Sequence, residues 1–277
     1  MDTLVEYAVD GHVARLTLNS PHNRNALSTT LVNQLHQGLR DAAADPAVRV
    51  VVLGHTGNTF CAGADLRGDR KGGEAGGSGS PQPASEGSSH ADPAQATAQR
   101  SREMAALLRA IVEAPLPVIV AVDGHVRAGG MGLVAAADIA VAGPRSTFAL
   151  TEARIGVAPA IISLTLLPKL SARAAARYYL TGETFDAATA AAIGLVTQAV
   201  DTEGGVDAAV AALVADIGRG SPQGLAASKA LTTAAVLDGF DRDAERLGAE
   251  SARLFVSDEA REGMLAFLQK RPPSWAT

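Results

Sequence analysis

The chain has 277 residues, 47% of them hydrophobic and 19% charged, with a net charge of −5. That balance describes a folded globular protein and gives no general electrostatic reason to bind nucleic acid or an anionic membrane. Cys61 is the only cysteine, which excludes an intrachain disulfide and a multi-cysteine metal site.

The N-terminus "MDTLVEYAVDGHVARLTLN" carries an early Asp and Glu without the apolar block of a signal peptide. No later run approaches the roughly 20 apolar residues of a membrane span, so a cytoplasmic location is expected. "HVARLTLN" (12–19) alternates as a half-buried strand does. Ser28 is placed to cap a helix over 28–45 that carries Leu31, Leu35 and Leu39 at helical spacing. "VRVVVLGH" (48–55) is a β-branched run suited to a buried strand. "TFCAGADL" (59–66) reads as a strand exit rising into a glycine turn.

Residues 68–93 interrupt this pattern, because 15 of the 26 are Gly, Ser or Pro. Such a composition buries too little apolar surface to offset its ordering entropy. It reads as a mobile loop inserted in one domain, either an active-site lid or a passive insertion.

A second strand–helix–strand cycle spans 97–142. Met104, Leu107, Leu108, Ile111 and Val112 share a helix face, and "PVIVAV" (117–122) is a buried strand. "GHVRAGGMGL" then turns into an alanine-rich helix, and short strands follow at 137–143 and 146–150. Beyond 160 the chain is mainly helical, with Ser171 and Asp186 as caps and helices from about 206 onward.

Neither glycine turn matches a phosphate-cradling or dinucleotide fingerprint. Two glycine turns after two parallel-type strands can instead aim two backbone N–H groups at one oxygen, as an oxyanion hole does. No GxSxG elbow accompanies them, and the six histidines lack metal-ligand spacing. Cys61 reads more readily as a small core residue than as a nucleophile. Glu152, at a strand end between Leu150 and Ile155, is a solvent-facing loop residue or, with its apolar flanks, a general acid/base of raised pKa.

Together "NALS" (25–28), "FCAGADL" (60–66), "PVIVAVDGHVRAGGMGL" (117–133) with "AADIAVA" (136–142), "STFALTEARIGVAP" (146–159) and "REGMLAFLQKR" (261–271) resemble the crotonase superfamily, the enoyl-CoA hydratase/isomerase family. The similarity covers nearly the whole chain. It implies an α/β fold, the crotonase (ClpP/crotonase-like) spiral of ββα repeats. In that fold residues 1–200 form the acyl-CoA-binding core and 201–277 a helical C-terminal oligomerisation region. It also implies an acyl-CoA thioester substrate, no separate cofactor because coenzyme A is part of the substrate, and a homotrimer or homohexamer.

By motif position the two oxyanion donors are the amides of Ala62 and Gly129, and the catalytic carboxylate is Glu152. Arg24, Ala62, Asp65, Leu66 and Lys270 fall at CoA-binding positions, Lys270 reaching the ligand of a neighbouring subunit. Hydratases of the family carry a second glutamate, whose position here is Gly132; losing one acid/base costs about 10²–10⁴ in rate unless another group stands in.

Three readings stay open: hydration by Glu152 alone, double-bond isomerisation by one base, and enolate formation by decarboxylation or C–C cleavage. The pattern is closest to bacterial 3-methylglutaconyl-CoA-type hydratases, which favours hydration. Arg127 or Arg154 would then face a distal substrate carboxylate. A catalytically inactive acyl-CoA-binding member and a Cys61-dependent acyl-transfer enzyme are the rival classes.

Overall fold

The computed structural model describes residues 2–65 and 93–276. Leu66 and residues 68–92 of the loop expected over 68–93 lie outside the described residues, and Pro93, expected in that loop, begins a helix.

The chain opens with an antiparallel pair, β1 (Val5–Asp10) and β2 (Val13–Leu18). Helix α1 (Thr29–Ala44) follows, with the Ser28 hydroxyl accepting from Leu31 N as its cap. Its buried face includes Leu31, Leu35 and Leu39, as their spacing predicts.

The chain then repeats one move three times. A strand in a large sheet is followed at once by a short strand in a small sheet. The pairs are β3 (Val50–His55) and β4 (Thr59–Cys61), β5 (Val118–Val122) and β6 (His125–Arg127), and β7 (Ile139–Ala142) and β8 (Thr147–Ala149). Helix α2 (Pro93–Glu113) separates the first two pairs, and α3 (Gly129–Ala136) the second and third. The result is two sheets wound side by side. The large one runs β1-β2-β3-β5-β7-β10 and the small one β4-β6-β8-β9, with β9 at Phe185–Asp186 and β10 at Gln198–Ala199. All pairings are parallel except β1–β2 and β8–β9.

Two-sided burial explains the unbroken "VVVL" of β3. Val51 and Leu53 join the main core, whereas Val50 and Val52 face the opposite way with Val13, Ile119 and Val141. Helix α6 (Ala187–Ala192) lies between β9 and β10, and α7 (Gly205–Ile217) covers that second face with Val206 and Val210. Helix α8 (Pro222–Phe255) packs along α2, and α9 (Asp258–Gln269) folds back on the loop after β8. The C-terminal region is therefore helical, as expected, and shares the core of the sheets. Among the described residues no helix is long and apolar enough to cross a membrane.

One buried charge pair ties these layers together. Lys229 of α8 lies 2.8 Å from Asp138 and also donates to the carbonyls of Ile111 and Leu116, where α2 ends and β5 begins. Asp138 in turn accepts from Val118 N at 2.7 Å. Replacing Lys229 by Met should cost about 3–5 kcal/mol, because a carboxylate and two carbonyls lose their donor. Chemical denaturation checks this, and Lys229→Met with Asp138→Asn should recover much of the loss.

Candidate active site

Strands β4, β6 and β8 are parallel neighbours, registered as Cys61 with Val126 and Arg127 with Ala149. Their C-terminal ends therefore leave one edge of the small sheet together, the edge where ligands sit in parallel α/β architectures. From it emerge residues 62–65, the turn into α3, and Glu152.

The first exit is clamped by Asn25, a fully buried residue with φ of 53°. Its side chain accepts from Ser20 N and donates to the carbonyls of Thr56 and Thr59. This holds the "RNAL" turn against β4, where the Arg24 carbonyl accepts from Ala62 N at 3.1 Å. Leu27 then pairs with Ala64, its N–H donating to Gly63 O and its carbonyl accepting from Asp65 N.

These bonds correct one expectation. The Ala62 N–H is committed to Arg24 and is not available to a ligand. The Ala64 N–H, at an exposed residue, has no acceptor among the described residues. Only backbone pairing separates the committed amide from the free one.

The second exit is the turn into α3. Gly129 is the first residue of the helix, so its N–H has no intrahelical partner and lies at the positive end of the helix dipole. Ala128, just before it, takes φ 46° and ψ −119°. A non-glycine residue there costs about 1–3 kcal/mol and persists only where its surroundings hold it.

The two exits touch. A Cβ on Gly63, whose φ is +91°, would lie 2.7 Å from the Ala128 Cβ and 3.6 Å from Gly129 N. One on Gly129 would lie 3.8 Å from the Gly63 Cα. Only glycine permits this backbone approach.

The third exit carries Glu152, which opens a 3-10 turn, Glu152–Ile155. It is 9% exposed, and its Oε2 is buried without a hydrogen-bond partner. Burial pushes its carboxyl from the ordinary 4.5 up to about 7. The turn is wedged on α9, since Cβ atoms on Gly156 and Gly263 would strike the backbone of Glu259 and Ile155.

The position of the family's second glutamate is closed as well as empty. A Cβ on Gly132 would fall 2.6 Å from Ile162 Cγ2 and 3.4 Å from Leu108 Cδ1. Ile162 leads into α4 (Ser163–Leu166), which Thr165 anchors through its bond to the Gly132 carbonyl.

Helix α5 (Ala172–Thr181) packs on the Glu152 turn. Arg154 fastens it by two bonds to the Thr181 carbonyl. Arg127 is likewise engaged, with the Val126 carbonyl and both oxygens of Thr147. The candidates for a distal substrate carboxylate thus serve the scaffold.

Arg24 is exposed beside the Ala62–Asp65 exit, and Asp65 is half-buried within it. Lys270 is exposed at the C-terminal end of α9, with φ of 54°. Cys61 is fully buried and its thiol is pushed up to about 12, which removes the thiolate that nucleophilic chemistry needs. Sequence reasoning missed Ile162, whose contact with the Gly132 position no local pattern marks.

A model of the enoyl-CoA hydratase/isomerase family matches residues 9–277. A solved enoyl-CoA hydratase from Mycobacterium avium is 69% identical, with both chains covered in full and a TM-score of 0.87. A Thermus thermophilus protein that bears an enoyl-CoA hydratase name is 33% identical over 264 residues, 95% of this chain and 97% of its own. The peroxisomal Delta(3,5)-Delta(2,4)-dienoyl-CoA isomerase of Arabidopsis thaliana is 25% identical over 99% of this chain and 96% of its own. The wound pair of sheets is accordingly the crotonase fold.

The raised pKa of Glu152 has a consequence for stability. Below pH 4.5 the group is neutral in both folded and unfolded chains, and it costs nothing. Above pH 7 the folded state alone resists its charge, a penalty on the order of 3 kcal/mol. Glu152→Gln should therefore raise the melting temperature at about pH 8 and leave it nearly unchanged at about pH 4.5, as scanning calorimetry would read.

Proposed function

Because the chain belongs to the enoyl-CoA hydratase/isomerase family, we propose that it adds water across the 2,3 double bond of an enoyl-CoA, with Glu152 as the only carboxylate acid/base. The carrying observation is that buried carboxyl, one oxygen unpartnered and its pKa about 7, at the edge where two glycine turns leave amides free.

The thioester oxygen takes the N–H groups of Ala64 and Gly129. Each such donor is worth about 3–4 kcal/mol when charge develops on that oxygen. Glu152 first accepts a proton from water as the water oxygen attacks the β-carbon. It then returns a proton to the α-carbon as the enolate collapses. A group with a pKa near the working pH can do both.

Arg24 and Asp65 lie beside the first donor and are proposed to meet the CoA portion. Lys270 is proposed to reach CoA from a neighbouring copy. Ile162 and Leu108, both buried, form an apolar wall that fills the space at Gly132 and offers no cation to a second carboxylate of the substrate.

That same wall favours a second reading, double-bond isomerisation, for which one base suffices and water is unnecessary. The mass of the product separates the two. Hydration adds 18 mass units and isomerisation adds none. In either case Glu152→Gln should lower kcat by about 10²–10⁴, and wild-type kcat/KM should fall as pH drops below about 7, where the carboxylate protonates. Activity of Glu152→Gln within a few-fold of wild type would overturn the assignment.

Gly132→Glu alone should fold poorly, because its Cβ meets the branch point of Ile162 rather than a flexible tip. Combined with Ile162→Gly, it should fold and speed hydration of straight-chain enoyl-CoA, measured by loss of enoyl-thioester absorbance.

A further inference from the structure

The hydration reading leaves the water molecule half held. One carboxylate can receive a single hydrogen of the attacking water, and the slot of a second carboxylate is filled by Ile162. The segment that fills it also carries Ser163, whose hydroxyl donates to the Pro159 carbonyl at 2.7 Å and lies 3.0 Å from the Tyr179 hydroxyl.

A serine has one hydroxyl hydrogen, and a carbonyl can only accept. With that hydrogen on Pro159, the Tyr179 phenol must donate to Ser163. Its proton is thereby turned away, and the remaining lone pairs of the phenol oxygen are free to accept.

Tyr179 sits on α5, the helix that packs on the Glu152 turn and is fastened there two residues later by Arg154 on the Thr181 carbonyl. Burial holds the Tyr179 phenol in its neutral form, its pKa pushed up to about 12, and the charge of Glu152 adds to that in the same direction. The phenol is half-buried.

We propose that Tyr179 is a second catalytic residue, accepting one hydrogen of the attacking water while Glu152 accepts the other, and that Ser163 positions it; this rests on the hydration reading. Water held between a carboxylate and a phenol oxygen presents its own lone pair to the β-carbon. As that carbon–oxygen bond forms, the O–H bond facing Glu152 breaks and its proton moves to the carboxylate. The π electrons pass to the thioester oxygen, return with protonation of the α-carbon by Glu152, and leave Tyr179 unchanged. The phenol orients and exchanges no proton.

The test compares two reactions that share Glu152 but differ in their need for water. One is hydration of a straight-chain enoyl-CoA. The other is exchange of the α-hydrogens of a saturated acyl-CoA into heavy water, followed by mass. Tyr179→Phe should lower kcat for hydration about ten- to a hundredfold with KM nearly unchanged, and leave α-exchange within about twofold. Ser163→Ala should lower hydration in the same sense, and Ser163→Thr should restore it. Glu152→Gln should abolish both reactions.

Hydration by Tyr179→Phe at the wild-type rate would overturn the role of Tyr179 and leave that of Glu152 standing. Equal loss of both reactions would reduce Tyr179 to a support of the turn and overturn it as well. Survival of α-exchange in Glu152→Gln would instead sink the underlying assignment. A wild-type enzyme that exchanges α-hydrogens but never adds water would remove the substrate of the proposed bond, and the proposal with it.

Discussion

The approach of two turns at backbone distance, Gly63 against the start of α3, is the constraint from which the rest of the architecture follows. Two N–H groups can converge on one oxygen only if the chains that carry them come closer than any side chain allows. Adjacent parallel strands supply the approach, because β4 and β6 leave the same edge of one sheet. Glycine supplies the clearance, since a methyl group at 63 would meet the Ala128 methyl at 2.7 Å. The strained dihedrals of Ala128 follow directly. The chain must change direction within one residue to bring the first amide of a helix beside the β4 exit.

Such a site is costly, and its costs fall where the fold is strongest. Ala128 is strained, Glu152 loses most of its hydration, and the amides of Ala64 and Gly129 have no partner among the described residues. Against this stand Asn25, with three hydrogen bonds that tie its turn to the start of β4, and a core in which Phe60, Cys61, Met131 and Phe148 are fully buried around the three exits. Packing at this density leaves few alternative conformations into which the strain could relax. The Lys229–Asp138 pair does similar work further off, fixing the end of α2 to the start of β5. The α2 and β5 elements bracket Leu108 and the strand that leads into the second turn, so the charge pair bears on site geometry from a distance.

The periodic features of this fold were plain in the sequence. The Leu31–Leu35–Leu39 stripe, the Ser28, Ser171 and Asp186 caps, and the β-branched runs of β3 and β5 each report a local preference that tertiary structure keeps. Glu152 and Gly129 could be singled out because their surroundings, an apolar flank and a glycine turn, are written in adjacent residues. The Ala62 assignment failed for the opposite reason. Whether an amide is free depends on a carbonyl at residue 24, almost forty positions away, and no local pattern encodes that bond. Ile162 was invisible on the same grounds, since its significance lies in contact with Gly132, thirty residues earlier. Arg127 and Arg154 looked like free cations until the carbonyls they bind were placed beside them.

The closing of the Gly132 slot changes how the remaining carboxyl reaches its working range. In a site with two carboxylates, repulsion between like charges raises one pKa, and the pair titrates together. Here the first and largest cause is desolvation by burial, and at Gly132 the space is taken by Ile162 and Leu108. On the proposed reading a single titration replaces a coupled one, and proton acceptance and return fall to one group. What desolvation cannot supply is a grip on water, which prefers acceptors to methyl groups. Any hydration at this site must draw that grip from neutral oxygens close to Glu152, whereas isomerisation needs none. On the proposed reading, the hydroxyls of Ser163 and Tyr179 are the feature that decides between hydration and isomerisation.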